Sequence, residues 1–110
     1  MEILREQEKE YRKGDHGIKY FFRGPQLDWG LVYLKPGEKM GSHYHREVEE
    51  AFYILEGRGT LLVNEMEVAV ESGFAFRLEA GERHDLVAAP DILLKGIFIK
   101  NPFRPDDKVE

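Results

Sequence analysis

The chain has 110 residues, the size of one domain, and its 42% hydrophobic and 34% charged side chains fit a packed core beneath a charged surface, which excludes wholesale disorder. With 16 basic against 21 acidic side chains the net charge is −5, which repels phosphate backbones, so no nucleic-acid partner is expected. No cysteine is present, so disulfides and thiolate-bound zinc are excluded, and any metal must rest on His and carboxylate ligands.

Residues 1 to about 15 are mostly charged, with Ile3, Leu4 and Tyr11 too sparse for an amphipathic helix; the segment reads as a frayed end or as an arm on a partner subunit. It lacks the apolar stretch of a signal peptide, and no run approaches the roughly 20 apolar residues that cross a bilayer, so a soluble, cytoplasmic protein without a membrane partner is expected. From Ile18 onward short Val-, Ile-, Leu-, Phe- and Tyr-rich runs alternate with Gly, Pro, Asn and Asp, the rhythm of an all-β sandwich or barrel. Strands are predicted over Ile18 to Phe22, Trp29 to Lys35, Ala51 to Glu56, Thr60 to Val63, Glu67 to Val70, Phe74 to Leu78, Asp85 to Ala88 and Leu93 to Lys100. Gly24-Pro25, Pro36-Gly37, Gly57-Arg58-Gly59 and Ala80-Gly81 are predicted turns, and Asn64-Glu65 a tight hairpin. The tail NPFRPDDKVE, with two prolines, is expected to stop pairing. One domain over 1–110 results, with a barrel core at about 18–100, a charged arm at 1–17 and a tail at 101–110.

Three of the four histidines carry a pattern: His43 and His45 in GSHYHREVEE, and His84 in GERHDL. In extended backbone residues two apart share a face, so the imidazoles of His43 and His45 can reach one ion. Glu49 or Glu50 follows; by alternation Glu50 lies with Phe52 and Ile54 on the interior side. A buried glutamate beside two histidines needs a compensating positive charge, which a divalent ion supplies. Three imidazoles and one carboxylate leave two octahedral positions open, which suits Mn, Fe, Co or Ni, with Zn as a four-coordinate alternative.

The stretch GEKMGSHYHREVEEAFYILEG resembles the first motif of the cupins, with Gly37, His43, His45, Glu50 and Gly57 at the family's spacing. A second motif is matched by Gly73, Gly81 and His84, while Glu79 stands where the family has proline and Ala88 where it has asparagine. The resemblance covers roughly Ile18 to Lys100. It implies a double-stranded β-helix, or small jelly roll, with one divalent metal ion held inside near a mouth by His43, His45, Glu50 and His84. It also implies a homodimer, with the N-terminal arm as a candidate for exchange between subunits.

Alternation places Val32, Leu34, Phe52, Ile54, Phe74, Phe76, Leu78 and Leu86 in the interior, making a largely apolar chamber for a small-molecule ligand. Lys95, alternating with Ile97 and Ile99, is the candidate for a catalytic base or an anion clamp; Arg77 and Tyr33 are further polar candidates. His16 and the run Arg46-Glu47-Val48-Glu49 read as surface. Cupin barrels host many chemistries. The expectations are a small metalloenzyme, dioxygenase- or isomerase-like, or else a non-catalytic small-molecule sensor.

Overall fold

The computed structural model describes residues 1–110 and contains nine strands: β1 (Gly17–Arg23), β2 (Asp28–Leu34), β3 (Tyr44–His45), β4 (Glu49–Val63), β5 (Met66–Glu71), β6 (Ala75–Leu78), β7 (His84–Ala88), β8 (Leu94–Asn101) and β9 (Lys108–Val109). The β-branched and aromatic runs form these strands because their side chains fit a pleated surface that is buried on one face. All pairings are antiparallel. One sheet runs β1-β2-β8-β4-β6, and a second sets β5 and β7 on either side of the far half of β4. Single bridges from Lys39 to Val87 and from His43 to His84 extend the second sheet beyond β7. Two sheets joined by one bent strand make the all-β double-stranded β-helix.

The 15-residue β4 departs from expectation, because Gly57-Arg58-Gly59 does not turn. The chain bulges between Ile54 and Glu56 and passes from pairing with β8 to pairing with β5 and β7. Gly57 sits at φ 83°, and a Cβ there would overlap the Leu93 carbonyl, while a Cβ at Gly59 would overlap that of Val87. These glycines let a continuous strand bend against close neighbours instead of ending it. The hairpin at Asn64-Glu65 does form, with Asn64 at φ 55° and Val63 paired to Met66.

Between the sheets lies a cluster of 11 buried apolar residues that includes Val32, Leu34, Phe52, Ile54, Leu78 and Leu86, with Phe76 packed against it. Each such side chain contributes about 1.5–3 kcal/mol by leaving water. Phe74 is 43% exposed, because it lies in the turn before β6 and is not covered there.

The two ends of the chain are both engaged. The arm has one 3-10 turn at Glu6–Glu8 and packs on the outer face of β1, β2 and β8: Lys19 Nζ donates to the Glu6 carbonyl at 3.1 Å, and Tyr11 meets Tyr33 edge to face with centroids 5.9 Å apart. The tail, expected to stop pairing, returns as β9 and pairs with β3, Tyr44 to Val109 and His45 to Lys108. Its prolines lie before β9, where no ladder hydrogen bond is needed. No helix is long and apolar enough to cross a membrane.

Candidate metal centre

Backbone pairing brings the two histidine segments into contact. His43 and His84 exchange both backbone hydrogen bonds, at 3.0 and 2.8 Å, and the Gly81 N–H donates to the His45 carbonyl at 2.7 Å. Glu50 follows the inward parity of Phe52 and Ile54 on β4 and is 2% exposed, whereas Glu49 points outward and pairs with Arg77 at 3.3 Å. Two buried aspartates brace these segments. Asp85 accepts the Gly41 N–H at 2.9 Å, and Asp107 Oδ2 accepts the N–H groups of Glu47 and Val48, both at 2.9 Å.

His43, His45, Glu50 and His84 converge as one buried group whose ligand atoms all lie within 4.8 Å of one another. Glu50 Oε1 is 3.9 Å from His43 Nε2, 3.4 Å from His45 Nε2 and 3.2 Å from His84 Nε2. Two atoms each about 2.1 Å from a common ion stand at most about 4.2 Å apart; the three contacts to Glu50 meet this, while the group as a whole, spanning up to 4.8 Å, would draw in by about 0.6 Å around an ion.

The far side of two rings decides which nitrogen faces the cluster as a lone pair. His43 Nδ1 lies 2.7 Å from the Gly41 carbonyl, and His84 Nδ1 2.9 Å from that of Glu82. A carbonyl only accepts, so both Nδ1 atoms carry the proton, and in a neutral ring Nε2 is then an acceptor. His45 Nε2 is buried without any hydrogen-bond partner. Acceptor atoms gathered out of water around a carboxylate are mutually unfavourable unless a cation stands among them. Burial raises the Glu50 carboxyl, and only positive charge, from the Lys100 ammonium or from an ion among the ligands, opposes it. The donor set therefore fits a divalent transition metal.

The cluster opens onto a chamber of about 280 Å³. Ile18, Val32, Leu34 and Met40 form an apolar wall, and Tyr20, Arg23 and Lys100 a polar one. Lys95 does not reach this space. Leu94, Gly96 and Phe98 are the inward residues of β8, so Lys95 is on the outer face, 3.7 Å from Glu6. Tyr33 and Arg77 also lie outside the chamber. Two segments read as surface prove to line it: His16 is half-buried between Asp15 at 2.7 Å and Glu38 at 3.1 Å, and Val48 is 3% exposed. Sequence reasoning missed Lys100, Tyr20, Asp85 and Asp107. Lys100 shares its strand face with Phe98, but the sequence does not say which face of β8 is inward; the other three carry no signal separable from ordinary strand or tail residues.

A double-stranded β-helix that gathers three imidazoles and one carboxylate inside its mouth defines a class of small barrels with a metal-competent centre. The chain belongs to the cupin family: the cupin domain model matches residues 30–97. A 76-residue stretch, 69% of the chain, is 30% identical to the tetracenomycin polyketide synthase protein TcmJ of Streptomyces glaucescens, and the alignment covers 51% of that relative, so the chain spans about half its length. Among solved structures, a conserved protein with a double-stranded β-helix domain from Klebsiella pneumoniae superposes with a TM-score of 0.82 at 12% identity, covering 99% of this chain and 96% of the other. The polyketide cyclase RemF from Streptomyces resistomycificus gives 0.81 at 18% identity, covering 96% and 82%. At these identities the structures speak for the fold.

Proposed function

We propose that His43, His45, Glu50 and His84 hold one divalent transition-metal ion, drawn from Mn, Fe, Co, Ni and Zn, and that the protein is a metalloenzyme acting on a small molecule bound at that ion. The observation that carries this reading is the buried convergence of three imidazole nitrogens on Glu50 at the floor of a chamber, with His45 Nε2 left unpartnered. A bound ion would supply Lewis-acid polarisation of a ligand oxygen. The chain's own residues do the rest. Glu50 offsets part of the ionic charge, the Gly41 and Glu82 carbonyls fix the rings of His43 and His84, and Ile18, Val32, Leu34 and Met40 shed water from the ligand's body.

Of the reaction classes open to such a site, the polyketide-related names of TcmJ and RemF favour redox-neutral, isomerase- or cyclase-like rearrangement of a carbonyl compound over dioxygenation. The test is elemental analysis of untagged protein, followed by product analysis and oxygen-electrode measurements with carbonyl substrates. About one transition metal per chain, with turnover and no oxygen uptake, supports the proposal. Oxygen uptake overturns the redox-neutral part, and a ligand bound but recovered unchanged converts the reading to a non-catalytic sensor. The homodimer is part of the same proposal. It is supported by the exposed Tyr53 and Ile99 on the outer face of the first sheet, and size-exclusion chromatography with light scattering decides it.

A further inference from the structure

The chamber's charge is opposite to that of the molecule. The chain as a whole carries −5, yet seven Lys and Arg side chains line or rim the chamber, against three carboxylates. Each of those carboxylates is already engaged. Glu50 faces the imidazoles, Glu38 pairs with His16 at 3.1 Å, and Asp28 accepts the Gly24 N–H at 3.0 Å with Arg23 at 4.0 Å. Among the cations Arg104 pairs with Glu47 at 3.0 Å, Lys108 with Glu110 at 3.7 Å and Arg23 with Asp28, so the excess that is not neutralised rests on Arg12, Lys13, Lys39 and Lys100.

Its innermost member is Lys100. The residue sits opposite Glu50 in the pairing of β8 with β4 and follows the inward parity of Phe98, so its ammonium enters the chamber beside the metal-competent cluster. It forms no ion pair, and its one hydrogen bond donates to Tyr20 Oη at 2.9 Å. An ammonium has three donors, so two remain; a phenol that accepts from lysine keeps its own proton to donate. Tyr20 is held by Phe98, edge to face at 5.3 Å, and by the Arg23 guanidinium, 4.3 Å above its ring. Strand residues braced in this way present donors with little freedom left to lose on binding.

We infer that the ligand of this chamber is a small organic oxyanion, a carboxylate or enolate on an apolar body, whose charged end is held by Lys100 and Tyr20 while the body lies against Ile18, Val32, Leu34 and Met40. This assignment of ligand class rests on the reading of the chamber as a ligand site above, and it needs no particular metal. Lys100 and Tyr20 are binding residues, and the exposed, unpaired Arg12, Lys13 and Lys39 at the rim draw the anion in.

The test is isothermal titration of the protein as purified, with its metal content measured, using 2-naphthoate and the uncharged 2-naphthalenemethanol, which share a ring system and differ in charge. The wild type is expected to bind the naphthoate at least about tenfold more tightly, as a charge-assisted hydrogen bond provides. Lys100→Met should erase that preference and leave alcohol binding, metal content and melting temperature unchanged. Tyr20→Phe should reduce it several-fold and serves as the second variant, while Lys95→Met should behave as wild type. The inference is overturned if wild-type protein shows no preference or no naphthoate binding at millimolar concentration, or if both Lys100→Met and Tyr20→Phe retain wild-type affinity. A Lys100-dependent preference in protein without metal upholds the anion site and refutes the metal reading; metal content near one per chain without the preference does the reverse.

Discussion

The apolar cluster around Ile54, Leu94 and Phe98 and the polar cluster of His43, His45, Glu50 and His84 share one interior, and no residue of either is more than 5% exposed. They are stabilised in opposite ways. Every methyl and ring edge withdrawn from water in the first lowers the free energy. In the second, imidazoles and a carboxylate give up hydration and face one another as acceptors, which is unfavourable until a cation is present. The apolar region therefore holds the barrel together by itself, and the polar region is held in place by the barrel and by the backbone of His43, His84 and Gly81.

This contrast can be broken or sharpened in order of expected effect. Phe98→Ala, at a site with 0% exposure, should cost about 3–5 kcal/mol in urea unfolding, with or without added metal. Rescue of that variant by metal would break the contrast. In the polar region, metal at about 100 times its dissociation constant should stabilise the wild type by about 2.7 kcal/mol. His84→Ala should abolish this gain and metal retention together, yet leave metal-free stability nearly unchanged, because one of the opposed acceptors is gone; a metal-dependent melting shift that survives in the variant counts against the centre.

Asp107 tests the clasp between the centre and the tail. Its burial works against the carboxylate, but the N–H groups of Glu47 and Val48 outweigh it and hold the group below its ordinary value of 3.8. A depressed carboxyl contributes its stability in full above the unfolded value and loses it as the pH falls through the folded one. Asp107→Asn should thus destabilise the protein by about 1–2 kcal/mol at neutral pH. The difference from wild type should begin to shrink as the pH drops below about 4, close to the unfolded Asp value, and should vanish once the folded carboxyl is protonated; a pH-independent difference in denaturant titrations would assign Asp107 a packing role instead. The smallest effect belongs to Lys95→Met on the outer face, within about 0.5 kcal/mol in the same unfolding assay.

Legibility followed the same divide. The short strands and the Asn64 hairpin could be read because alternation and turn chemistry are local properties of the chain. Gly57 and Gly59 misled for an equally local reason: their freedom signals a reversal, while their use here is to let β4 pass close to Leu93 and Val87. The faces of β8 could not be told apart, since Leu94, Ile97, Phe98 and Ile99 put apolar residues on both; alternation nominates Lys95, whereas the β8 lysine that lines the chamber is Lys100. On that outer face the N-terminal arm reaches β8 through Glu6 and Lys95, while Ile99 stays exposed.

The amino-acid order by itself determined the class of fold and nominated His43, His45, Glu50 and His84, because strand periodicity, glycine placement and histidine spacing are written within a few residues of one another. Only the tertiary structure decided that the tail closes on β3, that Asp85 and Asp107 brace the centre, and that Lys100 and Tyr20 meet across 80 residues of chain at 2.9 Å. Such contacts depend on which faces of distant strands are turned together, and no local pattern records that.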